Sequence, residues 1–270
     1  MRLIKLTVLL LCWAIFFPIE TLVHAGAFLF RVPDGIRWRV ISSVSRYLSR
    51  ILRVIMGVKI MVEGKRHQLN TGNYLIISNH LSYVDGIVLG SLFPIIFVSK
   101  REIRSWPWVG QWNALCGTIF VDRGKRGTIR SAVEQIACKL GQEINVLLFP
   151  EGTSTNGEHV LPFQSAFFAA PLMSQTAVLP LTLAYRRIDK EPISEANRDR
   201  LYWYGGMPFP SHFWDLLALR TIEVAVTLHP VIETSGLQNN SQNRKKLSED
   251  CYELITSASH RGDRPDRRTA

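Results

Sequence analysis

The chain has 270 residues, 47% hydrophobic and 20% charged, enough to bury one substantial core and too apolar for a disordered chain. Its formal net charge of +10 points to an anionic partner, and no zinc-finger spacing or RNP-like aromatic motif directs that charge to nucleic acid. The cysteines, Cys12, Cys116, Cys138 and Cys251, are scattered with no Cys-x-x-Cys pair, which argues against a metal knuckle or a disulfide framework and fits a reducing, cytosol-facing location.

Met1 to Lys5 carries two positive charges, and Leu6 to Ile19 is then almost wholly apolar. Two readings share this pattern. A signal peptide would end near Val23-His24-Ala25, whereas a retained anchor would extend through Glu20 toward Phe30. Ile36 to Met56 has arginines at helical intervals, Arg39, Arg46, Arg50 and Arg53, opposite an apolar side. That is a basic amphipathic helix suited to the headgroup region, and together with the preceding segment it favours the anchor.

Gly57 ends this helix, and Val58 to Glu63 alternates as an edge strand does. Tyr74 to Ser78 is a buried strand that runs into a loop carrying His80, with a short helix over Val84 to Leu92. Strands follow at Ile95 to Val98, Thr118 to Val121, Asn145 to Phe149, Val178 to Tyr185 and Thr221 to Leu228. A helix or loop-helix falls at Trp106 to Cys116, and helices fall at Ile129 to Leu140 (stopped by Gly141), Phe163 to Ser174 (bent or ended by Pro171) and Ser241 to Ser257. This alternation predicts a single α/β domain, a mostly parallel mixed sheet flanked by helices behind the N-terminal membrane segment. The boundaries read as 1–56 for the anchor and amphipathic helix, 57–260 for the domain and 261–270 for a loose tail.

Two strands deliver ionisable groups at their C-terminal ends. Leu75-Ile76-Ile77 leads to Asn79-His80-Leu81-Ser82-Tyr83-Val84-Asp85, and Val146-Leu147-Leu148 leads to Phe149-Pro150-Glu151-Gly152-Thr153. An open α/β sheet builds its site in this way. An unperturbed imidazole titrates near pH ~6.5, so His80 can take a proton from a hydroxyl near neutrality. A structural histidine and a capping box at Ser82-x-x-Asp85 are the plainer readings, and the capping box is compatible with the first. His159 lies near the Glu151 loop; His67, His212 and His229 cap, pack or face solvent. No His, Asp or Cys set has metal spacing, and neither a Walker sequence nor a dinucleotide fingerprint is present, so no metal and no bound cofactor are expected.

Asn-His-x-Ser-x-x-Asp followed by Phe-Pro-Glu-Gly-Thr resembles the glycerolipid acyltransferase family, which includes 1-acylglycerol-3-phosphate acyltransferases. Gly117-Thr118-Ile119-Phe120-Val121-Asp122-Arg123 and Val178-Leu179-Pro180-Leu181 are similar to its second and fourth blocks, and the match runs over roughly residues 58 to 232. The resemblance implies His80 and Asp85 as the catalytic pair, and direct attack of a lysolipid hydroxyl on an acyl thioester of acyl-carrier protein or coenzyme A, with no acyl-enzyme. It also implies Arg123 at an acceptor phosphate, with Glu151, Gly152, Thr153, Asn79 and Ser82 around the acceptor. The first expected acceptor is 1-acyl-sn-glycerol-3-phosphate. The implied partners are the bilayer, the lysolipid and the thioester carrier, with the domain on the cytoplasmic face of a membrane. One departure stands out. The family often continues with Arg-Ser where this chain has Ser154-Thr155, which removes a second phosphate contact. Trp203-Tyr204-Gly205-Gly206 and Ser105-Trp106-Pro107 look like the branch that acylates lyso-ornithine lipid. A lipid hydrolase using Ser82 is the alternative from another class, although no Gly-x-Ser-x-Gly elbow is present.

Overall fold

Twenty-eight residues with a single proline, Pro18, form helix α1 (Arg2–Leu29) in the computed structural model of the chain, which describes residues 1–69, 72–122 and 126–259. Its best window has a mean hydropathy of 2.2 and is only 11% buried, so by length and composition it could cross a membrane. It folds back as an antiparallel hairpin on α2 (Asp34–Met56). Phe16 meets Tyr47, His24 meets Trp38, and the Lys5 ammonium donates to the carbonyl oxygens of Met56 and Leu219. The carboxylate that interrupts the apolar run, Glu20, faces inward, where Ser45 and Cys116 hydrogen-bond to it. The outer side exposes Leu3, Leu10, Leu11, Ile15, Leu22 and Phe28. Gly57 caps α2 in the left-handed conformation, φ 74°, where a Cβ would lie 2.0 Å from the Arg220 carbonyl oxygen.

The sheet follows from runs of β-branched and aliphatic residues. The strands are β1 (Val58–Gly64), β2 (Leu75–Ser78), β3 (Ile95–Lys100), β4 (Ile119–Val121), β5 (Asn145–Leu148), β6 (Val178–Ile188), β7 (Glu191–Pro192) and β8 (Ile222–Leu228). Their order is β1-β8-β6-β2-β5-β3-β4, with β7 paired to β6. Every pairing is parallel except β6 with β8 and with β7. All four residues of β2 are buried because helices cover both faces of the sheet. Ile76 packs with α3 (Val84–Leu92) and α7 (Phe209–Leu216) on one face. Leu75 and Ile77 pack with α5 (Arg126–Gly141), α6 (Ala169–Ser174) and α8 (Ser241–Ser259) on the other. Full burial of each such side chain stabilises the fold by about 1.5–3 kcal/mol.

One expectation is corrected here. Pro171 neither bends nor ends its helix. A short 3-10 turn (Ser165–Phe168) leads into α6, and Pro171 lies in the first turn, where its missing N–H is not needed. Of the helix or loop-helix expected over Trp106 to Cys116, the structure has the second form: α4 (Val109–Leu115) starts only after Trp108, whose φ of 67° is not helical. The tail from 261 lies outside the described residues.

Candidate active site

Because β2, β3, β4, β5 and the first half of β6 run parallel, their C-terminal ends meet at one edge of the sheet. Ile77 pairs with Leu148, so the chain leaving β2 and the chain leaving β5 emerge side by side. Glu151 joins them. One of its oxygens accepts the His80 backbone N–H at 2.7 Å, and the other accepts the Leu161 N–H at 2.8 Å. The His80 carbonyl accepts the Thr155 N–H at 2.9 Å. The His80 backbone is therefore held on both sides by the Phe149–Thr155 loop. On the opposite flank Asn79 pairs with the backbone of Leu183, as donor at 3.0 Å and acceptor at 2.8 Å, like an extra ladder rung.

The imidazole of His80 stacks on Phe149 at 4.1 Å and sends Nδ1 to Asp85 Oδ2 at 2.9 Å. An ionised Asp85 requires the proton on Nδ1, which leaves the Nε2 lone pair for a substrate. The ring is partly open to solvent, whereas Asp85 is fully buried. With no lysine or arginine among the described residues bonded to it, the aspartate is satisfied by four donors: His80 Nδ1, the N–H groups of Leu81 (2.7 Å) and Ser82 (2.9 Å), and the Tyr185 hydroxyl on its other oxygen (2.7 Å). This arrangement fixes the carboxylate plane and hence the plane of the ring. Burial first, and then the charge of Asp85, holds the Tyr185 phenol protonated well above its ordinary range. Burial likewise pushes Glu151 up from 4.5 to about 7, even though its two N–H donors oppose the shift.

Only half of the Ser82–Asp85 capping box forms: Asp85 accepts the Ser82 N–H at 2.9 Å, whereas Ser82 Oγ accepts the Val84 N–H at 3.3 Å and the Asp85 N–H goes to the Ser82 carbonyl. Capping and ring orientation thus use the same carboxylate. Gly152 has φ 84°, which turns the loop back immediately after Glu151. Thr153 Oγ1 accepts from Lys100 Nζ at 3.5 Å, which leaves its own proton to donate. Asn79 and Ser82 do not face an acceptor. Both are buried, and the Ser82 hydroxyl donates to the Leu201 carbonyl at 2.7 Å. They are struts of the loop, and a hydrolytic nucleophile at Ser82 has no exposed atom to attack with. Arg123, with Gly124 and Lys125, lies outside the described residues. His159 is exposed. His212 is buried between the Tyr83 hydroxyl and the Tyr202 carbonyl, and burial lowers its pKa.

Sequence reasoning missed Tyr185 and Lys100. The signal for Lys100 was its place at the C-terminal end of a predicted strand. The signal for Tyr185 was period two: it shares a face of β6 with Leu181 and Leu183, and Asn79 is bonded to Leu183.

A buried carboxylate orienting an imidazole at a sheet's carboxyl edge, its backbone clasped by a second acidic loop, suits general-base chemistry. The family model "Acyltransferase" matches residues 59–184, and the chain belongs to that family. It is 32% identical over 197 residues to a lyso-ornithine lipid O-acyltransferase of Brucella abortus, covering 70% of this chain and 73% of that protein. The Pseudomonas aeruginosa lyso-ornithine lipid O-acyltransferase is 36% identical over 163 residues, 60% of each chain. A 1-acyl-sn-glycerol-3-phosphate acyltransferase of Neisseria gonorrhoeae is 25% identical over 67% of this chain and 69% of its own. The crystal structure of the 1-acyl-sn-glycerophosphate acyltransferase PlsC from Thermotoga maritima has the same fold, with a TM-score of 0.61 and 19% identity over 99% of this chain and 100% of that one.

Proposed function

We propose that this lipid acyltransferase acts by general-base catalysis at His80 and takes lyso-ornithine lipid as its acceptor. The acceptor hydroxyl gives its proton to His80 Nε2 as its oxygen attacks the thioester carbonyl. The tetrahedral adduct collapses, the C–S bond breaks, and the imidazolium returns the proton to the departing thiolate. Asp85 stabilises the imidazolium, and acyl-carrier protein or coenzyme A supplies the thioester. The His80 Nδ1–Asp85 contact, with Nε2 left over, is the observation that carries this reading.

Acceptor choice rests on the loop after Glu151. Ser154 is buried and its hydroxyl donates to the Trp203 carbonyl, so the loop presents no guanidinium where a phosphate would need one. The identity to the Brucella and Pseudomonas enzymes supports the same choice. Lys100 beside Thr153 and the sequence position of Arg123 favour a second reading, 1-acyl-sn-glycerol-3-phosphate, because both cations suit an anionic head group. The enzyme works from the membrane, held by the outer face of α1, with the catalytic domain on the cytoplasmic side. The polar ties of Lys5, Glu20 and His24 to the domain support a retained α1. The test offers both lysolipids with a labelled acyl thioester to purified protein and to His80→Ala. Transfer to lyso-ornithine lipid that vanishes in the variant is expected. Transfer to the phosphate acceptor alone would replace the first reading with the second, and no His80-dependent transfer to either would end both.

A further inference from the structure

Between β3 and α4 the chain makes an outward tip, Ser105-Trp106-Pro107-Trp108-Val109, that the chemistry does not use. Trp108 has φ 67° and ψ −51°, and the turn is closed by the Val109 N–H on the Pro107 carbonyl at 2.7 Å. This is a γ-turn of the rarer hand, strained for a residue with a bulky side chain. The turn is closely packed: a Cβ on Gly110 would lie 2.1 Å from the Arg104 carbonyl oxygen. Even so, the indole it presents is 64% exposed, and Val109 is exposed beside it. Apart from one aromatic contact, so exposed an indole in a strained turn gains little from the fold itself.

Its neighbours give it a purpose. Trp108 meets Trp13 of α1 edge to face at 4.8 Å, so the tip continues the apolar side that α1 exposes through Leu10 and Leu11. Arg101 and Arg104 are exposed at its base. Lys100, the residue before them, reaches Thr153 at the site. We infer that this tip is a second membrane contact: Trp108 and Val109 enter the interface of an anionic bilayer while Arg101 and Arg104 meet its phosphates, seating the mouth of the site against the lipid surface. An indole at the interface with guanidinium groups at headgroup depth is the composition such a position takes. Continuity with the apolar face of α1 favours the bilayer over an acidic carrier protein, which would be met by charge without an exposed indole.

The inference rests on the membrane reading of α1, so the experiment reports both. Full-length protein carrying Cys12→Ala and Cys138→Ala is spin-labelled at Trp108→Cys, at Leu11→Cys or at Glu191→Cys, then bound to vesicles containing phosphatidylglycerol. Oxygen should reach the labels at 108 and 11 better than a water-soluble nickel chelate does, with the reverse at 191. Nickel access at 108 equal to that at 191, with 11 still shielded, overturns the tip alone; nickel access at 11 as well overturns both. Trp108→Gly suits the positive φ and keeps the turn while removing the indole. It should raise KM for a vesicle-embedded acceptor roughly tenfold and leave a water-soluble short-chain acceptor unaffected. A rise in KM for acyl-carrier thioester instead would assign the tip to the carrier protein and refute the bilayer contact.

Discussion

Replacing Asp85 with asparagine separates the electrostatic role of this residue from its structural one. An asparagine oxygen at the Oδ2 position can still accept from His80 Nδ1, Leu81 and Ser82, and its NH2 can donate to Tyr185 once that hydroxyl rotates. The fold should therefore survive. What disappears is the charge facing the imidazolium. With Nδ1 and Oδ2 2.9 Å apart, the two charges are centred roughly 4 Å from one another, which gives about 4 kcal/mol at an effective dielectric constant near ~20. At about 1.4 kcal/mol per decade, kcat should fall about a thousandfold. The assay follows thiol release from a coenzyme A thioester in single turnovers, beside a thermal melt. A kcat within tenfold of the native value, with an unchanged melt, would mean that no positive charge develops on His80 and would refute the general-base reading. Asp85→Ala differs in kind. It leaves Tyr185, Leu81 and Ser82 as buried donors without an acceptor, at about 1–3 kcal/mol each, and should compromise folding itself.

Tyr185→Phe removes one donor from Asp85 and nothing else, so kcat should fall by roughly tenfold to a hundredfold, from about 1.5–3 kcal/mol for a bond to a charged acceptor, with little change in KM. Glu151 titrates near 7 in the fold against 4.5 ordinarily, so the folded state binds the extra proton between those values and stability falls as pH rises from about 4.5 to 7. That component, on the order of 3 kcal/mol, is absent from Glu151→Gln; melts at pH 5 and pH 8 should therefore differ less in the variant, and an equal difference would contradict the shift. Asn79→Ala deletes both bonds to Leu183 inside the core and should destabilise by about 2–4 kcal/mol in urea unfolding. Leu10→Lys together with Leu22→Lys, on the exposed side of α1, should shift protein from vesicles to supernatant in sedimentation; unchanged partition would count against that face as the anchor.

Strands at a two-sided sheet announce themselves, because both faces are covered and the run is apolar without alternation: Leu75–Ser78, Asn145–Leu148 and Val178 onward were legible for that reason. The His80 and Glu151 loops were legible because strand ends carry ionisable residues there. The antiparallel pairing of β6 with β8 was not, since an apolar strand is compatible with either direction of neighbour, and β8 follows β6 by a long connection. The four-donor shell of Asp85 was hidden for a different reason. Tyr185 is 100 residues away, and only the register of β6 against β2 brings its hydroxyl to the carboxylate. The struts at Asn79 and Ser82 were misread as acceptor contacts, because their types alone do not reveal that backbone groups of Leu183 and Leu201 consume them. Glu20 in an apolar run looked like a flaw in an anchor; it is the face of α1 turned toward Ser45 and Cys116.

The tie between Arg2 and Asp215 spans 213 positions of sequence. Arg2 is made 213 residues before its carboxylate partner. At about 5–20 residues per second, roughly 10–40 s separate the two events. Lys5 waits as long for the Leu219 carbonyl, while Glu20 gains Ser45 after 25 residues and Cys116 only after 96. Throughout that interval the apolar side of α1 exists without the surface that later covers its inner face. If α1 is the anchor proposed above, the order of synthesis offers its apolar side to lipid before the domain that it would hold has folded.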